Sequence, residues 1–330
     1  SAPKAPRSNL RLYERDGLRL EDRAQLTVPT SLTMLLGETS SLLGLVAFGD
    51  SHAVLFTRSP IYDVRALVVK IDGGRIEVTD NVLFDSGGIY QFSAQPLTGP
   101  RALLGYRDYR TPSRVGVRLL AIENDRLVTL SGVTFTQDGA VDGSPPLFLA
   151  TVDPAVYKIL LGNTNSRDGV PSGDPNLKLT EVTISGASVA VSSLENFGSP
   201  AEPFSFGLTA AGNFLDSIFV YRADPSGYRW GRISDGTYSS LGRIPSADGL
   251  YAGEVNMAGA ANLKIGLRSF FRLAVDSGTR IFLFDGSADA PKVYNTAFPR
   301  SHMLNTVKLF SSGDTLILVE PGFVRTLSTP

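Results

Sequence analysis

The chain has no cysteine, only two histidines (His52 and His302), a single tryptophan (Trp230), and a formal net charge of −1 over 330 residues. Without cysteine there is no disulfide framework, no thiolate nucleophile and no Cys-ligated zinc. Two histidines are too few for a His-rich metal or catalytic centre. A charge balance this close to neutral excludes a chain built mainly to neutralise phosphates, so no nucleic-acid partner is expected. Long apolar runs are missing too. The most apolar stretch, residues 32–57, is interrupted by Glu38, Asp50 and His52. Nothing reaches the roughly 18 unbroken apolar residues of a membrane helix, and no membrane insertion is expected. The opening residues 1–7 contain Pro3 and Pro6 and no apolar core of a secretory leader. No stretch of ten residues carries the 3.6-residue periodicity of an amphipathic helix.

What is present reads as strand. Residues 53–57 (AVLFT), 65–71 (RALVVKI) and 117–122 (VRLLAI) are short, β-branched or aromatic, and bounded by Gly, Asp, Asn or Pro. With 42% hydrophobic and 19% charged residues, the composition is that of a globule with a real core. The expected fold class is all-β.

Internal repetition sets the expected architecture. Residues 10–22, 66–78 and 117–129 each read strand, tight turn, strand, with turns at Asp16-Gly17, Asp72-Gly73-Gly74 and Asn124-Asp125. These turn residues suit the positive φ of a hairpin turn. Looser copies are expected at 177–191, 228–241 and 270–284. A second phrase stands ahead of most hairpins: residues 54–58 (VLFTR), 103–107 (LLGYR), 159–163 (ILLGN), 218–222 (IFVYR) and 263–268 (LKIGLR). The sixth copy, 315–320 (TLILVE), lies near the C-terminus with no hairpin expected after it. The first hairpin lies near the N-terminus with no such strand before it. The two incomplete ends make one unit, as a closed ring of four-stranded blades requires. The expectation is a single six-bladed β-propeller over residues 9–330, one blade shared between N- and C-terminal strands, with residues 1–8 as an arm. Six copies give about 55 residues each, slightly above familiar propeller repeats. Two β-sandwiches would also give short strands and regular turns, but leave the split repeat unexplained.

The phrase Leu103-Leu104-Gly105-Tyr106-Arg107-Asp108, the turn and strand Ser113-Arg114-Val115-Gly116-Val117, and then Leu127-Val128-Thr129-Leu130 resemble the blade repeats of bacteriophage tail-fibre and other virion-associated propellers. Residues 101–136 carry that resemblance best, and residues 218–241, with Tyr221, Asp224 and Gly227, carry it in part. The resemblance implies a structural or attachment role on a phage-like particle and brings no catalytic residues with it. The kelch pattern, with its Gly-Gly pair and spaced aromatics, is not matched, and one tryptophan does not make a WD40 array.

Superposing the repeated phrases puts Arg58, Arg107, Arg222 and Arg268 in one column, with Asn163 and Glu320 in the other two copies. On an innermost strand these arginines would form an interrupted cationic ring around the axis. The guanidinium fork suits a carboxylate or phosphate, such as that of an acidic glycan. The plainer reading pairs each arginine with a nearby acid such as Asp108 or Asp224. Tyr106 and Tyr221 offer flat surface for a sugar ring or partner protein, or else pack between sheets. Trp230 is expected near an edge. Residues 163–169 (NTNSRDG) approach a calcium loop, but Arg167 stands where an oxygen ligand belongs, so the segment reads as a loop and no metal is expected. No pair of acids can be placed in one pocket, His52 reads as part of an inter-blade turn, and no Gly-x-Ser-x-Gly elbow is present. No catalytic residue and no cofactor is assigned.

The expected function is that of a non-enzymatic virion-associated structural or attachment protein. Its partners would be a host surface glycan or virion structural proteins, with a monomeric fold present in several copies per particle. The alternatives are a carbohydrate hydrolase or lyase built on a propeller, and a cytoplasmic scaffold for acidic peptides.

Overall fold

The computed structural model describes residues 9–16, 19–27, 41–59, 63–72, 75–108, 110–111, 114–136, 147–151, 156–162, 177–193, 195–196, 206–213, 216–224, 227–234, 237–243, 256–265, 268–275, 278–285, 292–296, 308–312, 315–320 and 323–328. Among these residues the regular structure is all strand, and every pairing in the registers is antiparallel. A hairpin, β1 (Asn9–Asp16) and β2 (Arg19–Thr27), comes first. The first four-stranded sheet is β3 (Ser41–Phe48), β4 (His52–Arg58), β5 (Val64–Asp72) and β6 (Arg75–Asp85). The next is β7 (Ile89–Pro96), β8 (Arg101–Asp108), β9 (Arg114–Glu123) and β10 (Arg126–Thr136).

A five-stranded sheet follows: β11 (Leu147–Thr151), β12 (Val156–Gly162), β13 (Leu177–Ser185) and β14 (Ser188–Val191), with β15 (Glu195–Asn196) also paired to β13. Two more four-stranded sheets are β16 (Phe206–Asn213), β17 (Asp216–Asp224), β18 (Gly227–Ser234) and β19 (Thr237–Arg243), then β20 (Asn256–Ile265), β21 (Arg268–Val275), β22 (Gly278–Asp285) and β23 (Lys292–Thr296). The last sheet has three strands, β24 (Lys308–Ser312), β25 (Thr315–Glu320) and β26 (Phe323–Ser328). Apart from β15, which pairs back to β13, the chain runs through neighbours in sequence order in every sheet of three or more strands, the simplest meander.

The three clearest hairpins of the sequence are real: β1–β2, β5–β6 and β9–β10. In the last of these Asn124 and Asp125 have φ of 51° and 61°, the left-handed pair that a two-residue type I′ turn demands. Residues 177–191 and 228–241 likewise fall on third and fourth strands, β13–β14 and β18–β19, whereas the copy at 263–284 is shifted. Residues 263–265 end β20, the first strand of their sheet, and Arg268 opens β21, the second. The hairpin at 270–284 therefore joins the second and third strands rather than the third and fourth. Residues 315–320 form β25, and β26 does follow and pairs with it along its whole length. Period-two alternation is the same in every strand of a sheet, so it marks strands without numbering them.

The chain divides into two compact units, one of residues 1–111, 116–134 and 187–189, the other of residues 112–115, 135–186 and 190–330. In the first unit the first strands of the two sheets, β3 and β7, run close together, and in the second unit so do β16, β20 and β24. The inner position thus belongs to the first strand of each sheet. The arginine-bearing second strand was expected there and lies one place further out.

The core of the first unit is the seam between its two four-stranded sheets. Val46, Phe48, Val54, Phe56, Val64, Ala66 and Val68 meet Ile89, Ala102, Leu104, Tyr106, Leu120 and Ile122 there. The Phe56 ring packs edge-on to Phe84 at 5.2 Å between centroids and against Phe92 at 4.9 Å. Each fully buried large side chain contributes about 1.5–3 kcal/mol. Strand β8 is buried on both faces: Ala102, Leu104 and Tyr106 join the seam, while Leu103, Gly105 and Arg107 lie on the opposite face by alternation. This explains a continuous run of apolar residues where a half-buried strand would alternate.

Candidate functional site

Arg58 and Arg107 both stand at the C-terminal end of a second strand, as the superposed phrases require. Arg58 is half-buried, and its Nη1 donates a long 3.5 Å hydrogen bond across the seam to the carbonyl of Ile89. Arg107 has no exposed surface at all. Loss of hydration pushes its guanidinium down to about 10, still well above neutrality, so it is an interior cation.

Tyr106 belongs to the seam and is 7% exposed. Its ring lies on Gly116 so closely that a Cβ there would sit within the ring's van der Waals radius. Arg118, two residues on in β9, also reaches the ring, with the guanidinium carbon 5.0 Å from its centroid and 4.6 Å from that of Phe84. Arg118 also donates to Asp85 Oδ2 at 2.8 Å and to the Phe84 carbonyl at 3.1 Å. Asp108 closes the phrase by accepting from the backbone N–H of Arg110 (2.8 Å) and Thr111 (3.2 Å). The Tyr-x-Asp phrase therefore has a local meaning: tyrosine packs on glycine, and aspartate holds the turn.

Arg222 and Tyr221 lie in β17, Arg222 near its C-terminal end, like Arg58 and Arg107 in their strands. Arg268 is at the N-terminal end of β21, the opposite end of a second strand, so the column of four is a column of three. The side chains of Tyr221, Arg222 and Arg268 lie outside the described residues. So do residues 1–8 and the loop 163–169. Trp230, expected near an edge, is 3% exposed in β18, the third strand of its sheet, and packs beside Gly242.

A polar cluster that sequence reasoning did not assemble stands at the other end of the seam. His52 opens β4 and Lys70 is its register partner in β5. Asp125, in the turn of the β9–β10 hairpin, accepts from His52 Nε2 at 2.9 Å through Oδ1 and from Lys70 Nζ at 2.9 Å through Oδ2. The hydroxyl of Ser51, in the turn before β4, lies 2.9 Å from His52 Nδ1. The hydrogen bond to Lys70 foremost, and the one to His52 next, hold the Asp125 carboxyl below its usual range. The same contact raises the Lys70 ammonium. Ser51 and His52 are adjacent in sequence, but Asp125 is 73 residues from His52, so only the fold reveals the group. Among the described residues no group of three or more acids and histidines is placed to hold a metal ion. No helix of the described residues is long and apolar enough to cross a membrane.

No family model matches the sequence, and no curated protein matches it. Solved structures do. The chain is similar to the Dos1 propeller, at 12% identity over 88% of this chain and 68% of that one, with a TM-score of 0.52. It is also similar to a variant of the Aleuria aurantia lectin in complex with α-methyl-L-fucoside, at 12% identity, 87% of this chain, 90% of that one and a TM-score of 0.51. The SapL1 lectin in complex with α-methyl fucoside aligns at 11% identity over 88% and 95% of the two chains, with a TM-score of 0.51. At such identities the likeness speaks for the fold, and the fold is an all-β propeller of antiparallel sheets.

Proposed function

We propose that the chain is a six-bladed propeller over residues 9–330 that binds a glycan without catalysis, as a virion-associated structural or attachment protein with residues 1–8 as an arm. The observation that carries the glycan reading is the likeness, over nearly nine-tenths of the chain, to two lectins whose structures hold α-methyl fucoside. The count of six follows from the sequence repeats, and five sheets of four or five strands with one of three are compatible with it. The virion rests on the blade phrase of residues 101–136 and its resemblance to tail-fibre repeats. Neighbouring virion proteins are the second class of partner under the same reading.

The ligand sites in this reading lie at the C-terminal ends of those second strands that carry an arginine there. Arg58 in its sheet and Arg222 in its own offer the cation that an acidic sugar needs, and Tyr221, on the opposite face of β17 by alternation, offers a flat ring to a second contact. Arg107 and Tyr106, enclosed as they are, support such a site from beneath rather than touching the ligand.

The test is binding of the purified chain to host-type surface polysaccharides and to intact bacterial cells across a salt series, beside an Arg58→Ala/Arg222→Ala variant. Saturable binding that weakens with salt and drops at least about tenfold in the variant, a loss of roughly 1.4 kcal/mol, is expected. Binding unchanged in the variant would refute the arginine sites. Absence of any binding by a folded wild-type chain would refute glycan attachment and leave the virion-protein partners.

A further inference from the structure

We propose that Ser51 is an activated hydroxyl, a modification site that takes electrophilic acyl or phosphonyl groups, with His52 as its base and Asp125 fixing the imidazole ring. The inference stands on the polar cluster at the His52 end of the seam and is independent of glycan binding. Ser51 is exposed, so an electrophile in solution can reach Oγ. The His52 side chain is only 11% exposed and is anchored by the pairing of its residue with both Phe48 and Lys70.

Three hydrogen bonds order the group. Asp125 Oδ1 can only accept, so at 2.9 Å the proton of a neutral ring is drawn to Nε2. That leaves the lone pair on Nδ1 facing the Ser51 hydroxyl at 2.9 Å, the tautomer a base needs. Asp125 is itself held. Its second oxygen takes the Lys70 ammonium at 2.9 Å, and its backbone sits in the fixed left-handed turn of the β9–β10 hairpin. As an electrophile approaches, the Oγ–H proton passes to Nδ1, the new Oγ–phosphorus or Oγ–carbon bond forms, and the leaving group departs with its electron pair. The imidazolium that results faces the Asp125 carboxylate. Turnover would further require donors aimed at the developing oxyanion, so the expected outcome is a stable stoichiometric adduct.

The probe is a fluorophosphonate, which loses fluoride on reaction, with the adduct located by peptide mass spectrometry in the full chain. The adduct is expected on Ser51 and absent from Ser51→Ala. Its rate of formation should fall at least about a hundredfold in His52→Gln, the low end of what a positioned base contributes. Asp125→Asn should slow labelling, and Lys70→Gln, which loosens the carboxylate but leaves it beside the ring, should slow it less. Far-UV circular dichroism of each variant reports folding. No adduct at Ser51, or equal rates in wild type and a folded His52→Gln, would overturn the proposal.

Discussion

Replacing Gly116 by alanine should destabilise the protein only while Tyr106 is present. Gly116 is buried in β9 at an ordinary negative φ, so alanine meets no backbone penalty, and the whole cost is steric. The added Cβ would lie about 2.5 Å from Tyr106 Cε1 and Oη, nearly an ångström inside normal contact. The ring cannot retreat freely, because it is packed into the buried seam and the Arg118 guanidinium 5.0 Å from its centroid is itself tied to Asp85 at 2.8 Å. Overpacking of this kind costs about 1–3 kcal/mol. In a Tyr106→Ala background the obstruction is gone, and the same change should be neutral or stabilise by about 0.5–1 kcal/mol, the ordinary penalty of glycine inside a strand. The two measurements should therefore differ by about 1–4 kcal/mol. Urea unfolding followed by far-UV circular dichroism gives all four corners of the cycle, with m-values checked for constancy. Equal destabilisation of both backgrounds would refute the stacked ring as the reason for glycine at this position.

Three other outcomes follow from the same seam and its turns. Asp125 is held below its usual carboxyl range, so the stability it contributes is full above the unfolded value of 3.8 and lost as pH falls through the folded one. Lys70 is raised, so its contribution is full below 10.5 and lost as pH climbs through the folded value. Urea midpoints should accordingly fall off less steeply in acid for Asp125→Asn than for wild type, and less steeply in alkali for Lys70→Met; slopes identical to wild type would show that the cluster is not formed in solution. Gly49, at φ of 67° in the turn between β3 and β4, should cost about 1–2 kcal/mol when changed to alanine and less when changed to asparagine, read as a shift of the same midpoint. A Gly49→Ala midpoint at or above wild type would mean the turn is not left-handed there.

Much of the fold is legible in residues 9–136 because local chemistry and tertiary structure agree there. Asn124-Asp125 announces a left-handed turn, and the apolar runs on either side announce strands. The phase of the later sheets is not legible in the same way. Residues 263–268 look like 103–107, yet they span the end of a first strand and the start of a second, because turn residues recur between every pair of strands. The arginine column fails at Arg268 for that reason. Exposure is equally hidden: Arg107 and Arg58 share one motif position, but burial on both faces of β8 takes Arg107 wholly inside, and no residue type in its phrase signals this. The Ser51, His52 and Asp125 group illustrates the remaining gap. Adjacent residues can be read from sequence, whereas a partner on another sheet becomes visible only when two sheets pack.

Burial of β8 on both faces has a bearing on how the chain finds its alignment while folding. A strand with one wet face resists slipping by a single residue, since the slip would turn its greasy side to water. β8 has no wet face to lose. A one-residue slide would carry Leu103 to the side of Leu104 and back at little cost in hydrophobicity, so greasiness cannot be the guard of alignment here. Shape has to be: the gap left by Gly116 accepts only the Tyr106 ring, and the fixed Asn124-Asp125 turn sets the reach of β9 and β10. Errors at these three places would be expected to populate a compact, misaligned sheet that is slow to correct, well before they lower the stability of the sheet once it is properly aligned.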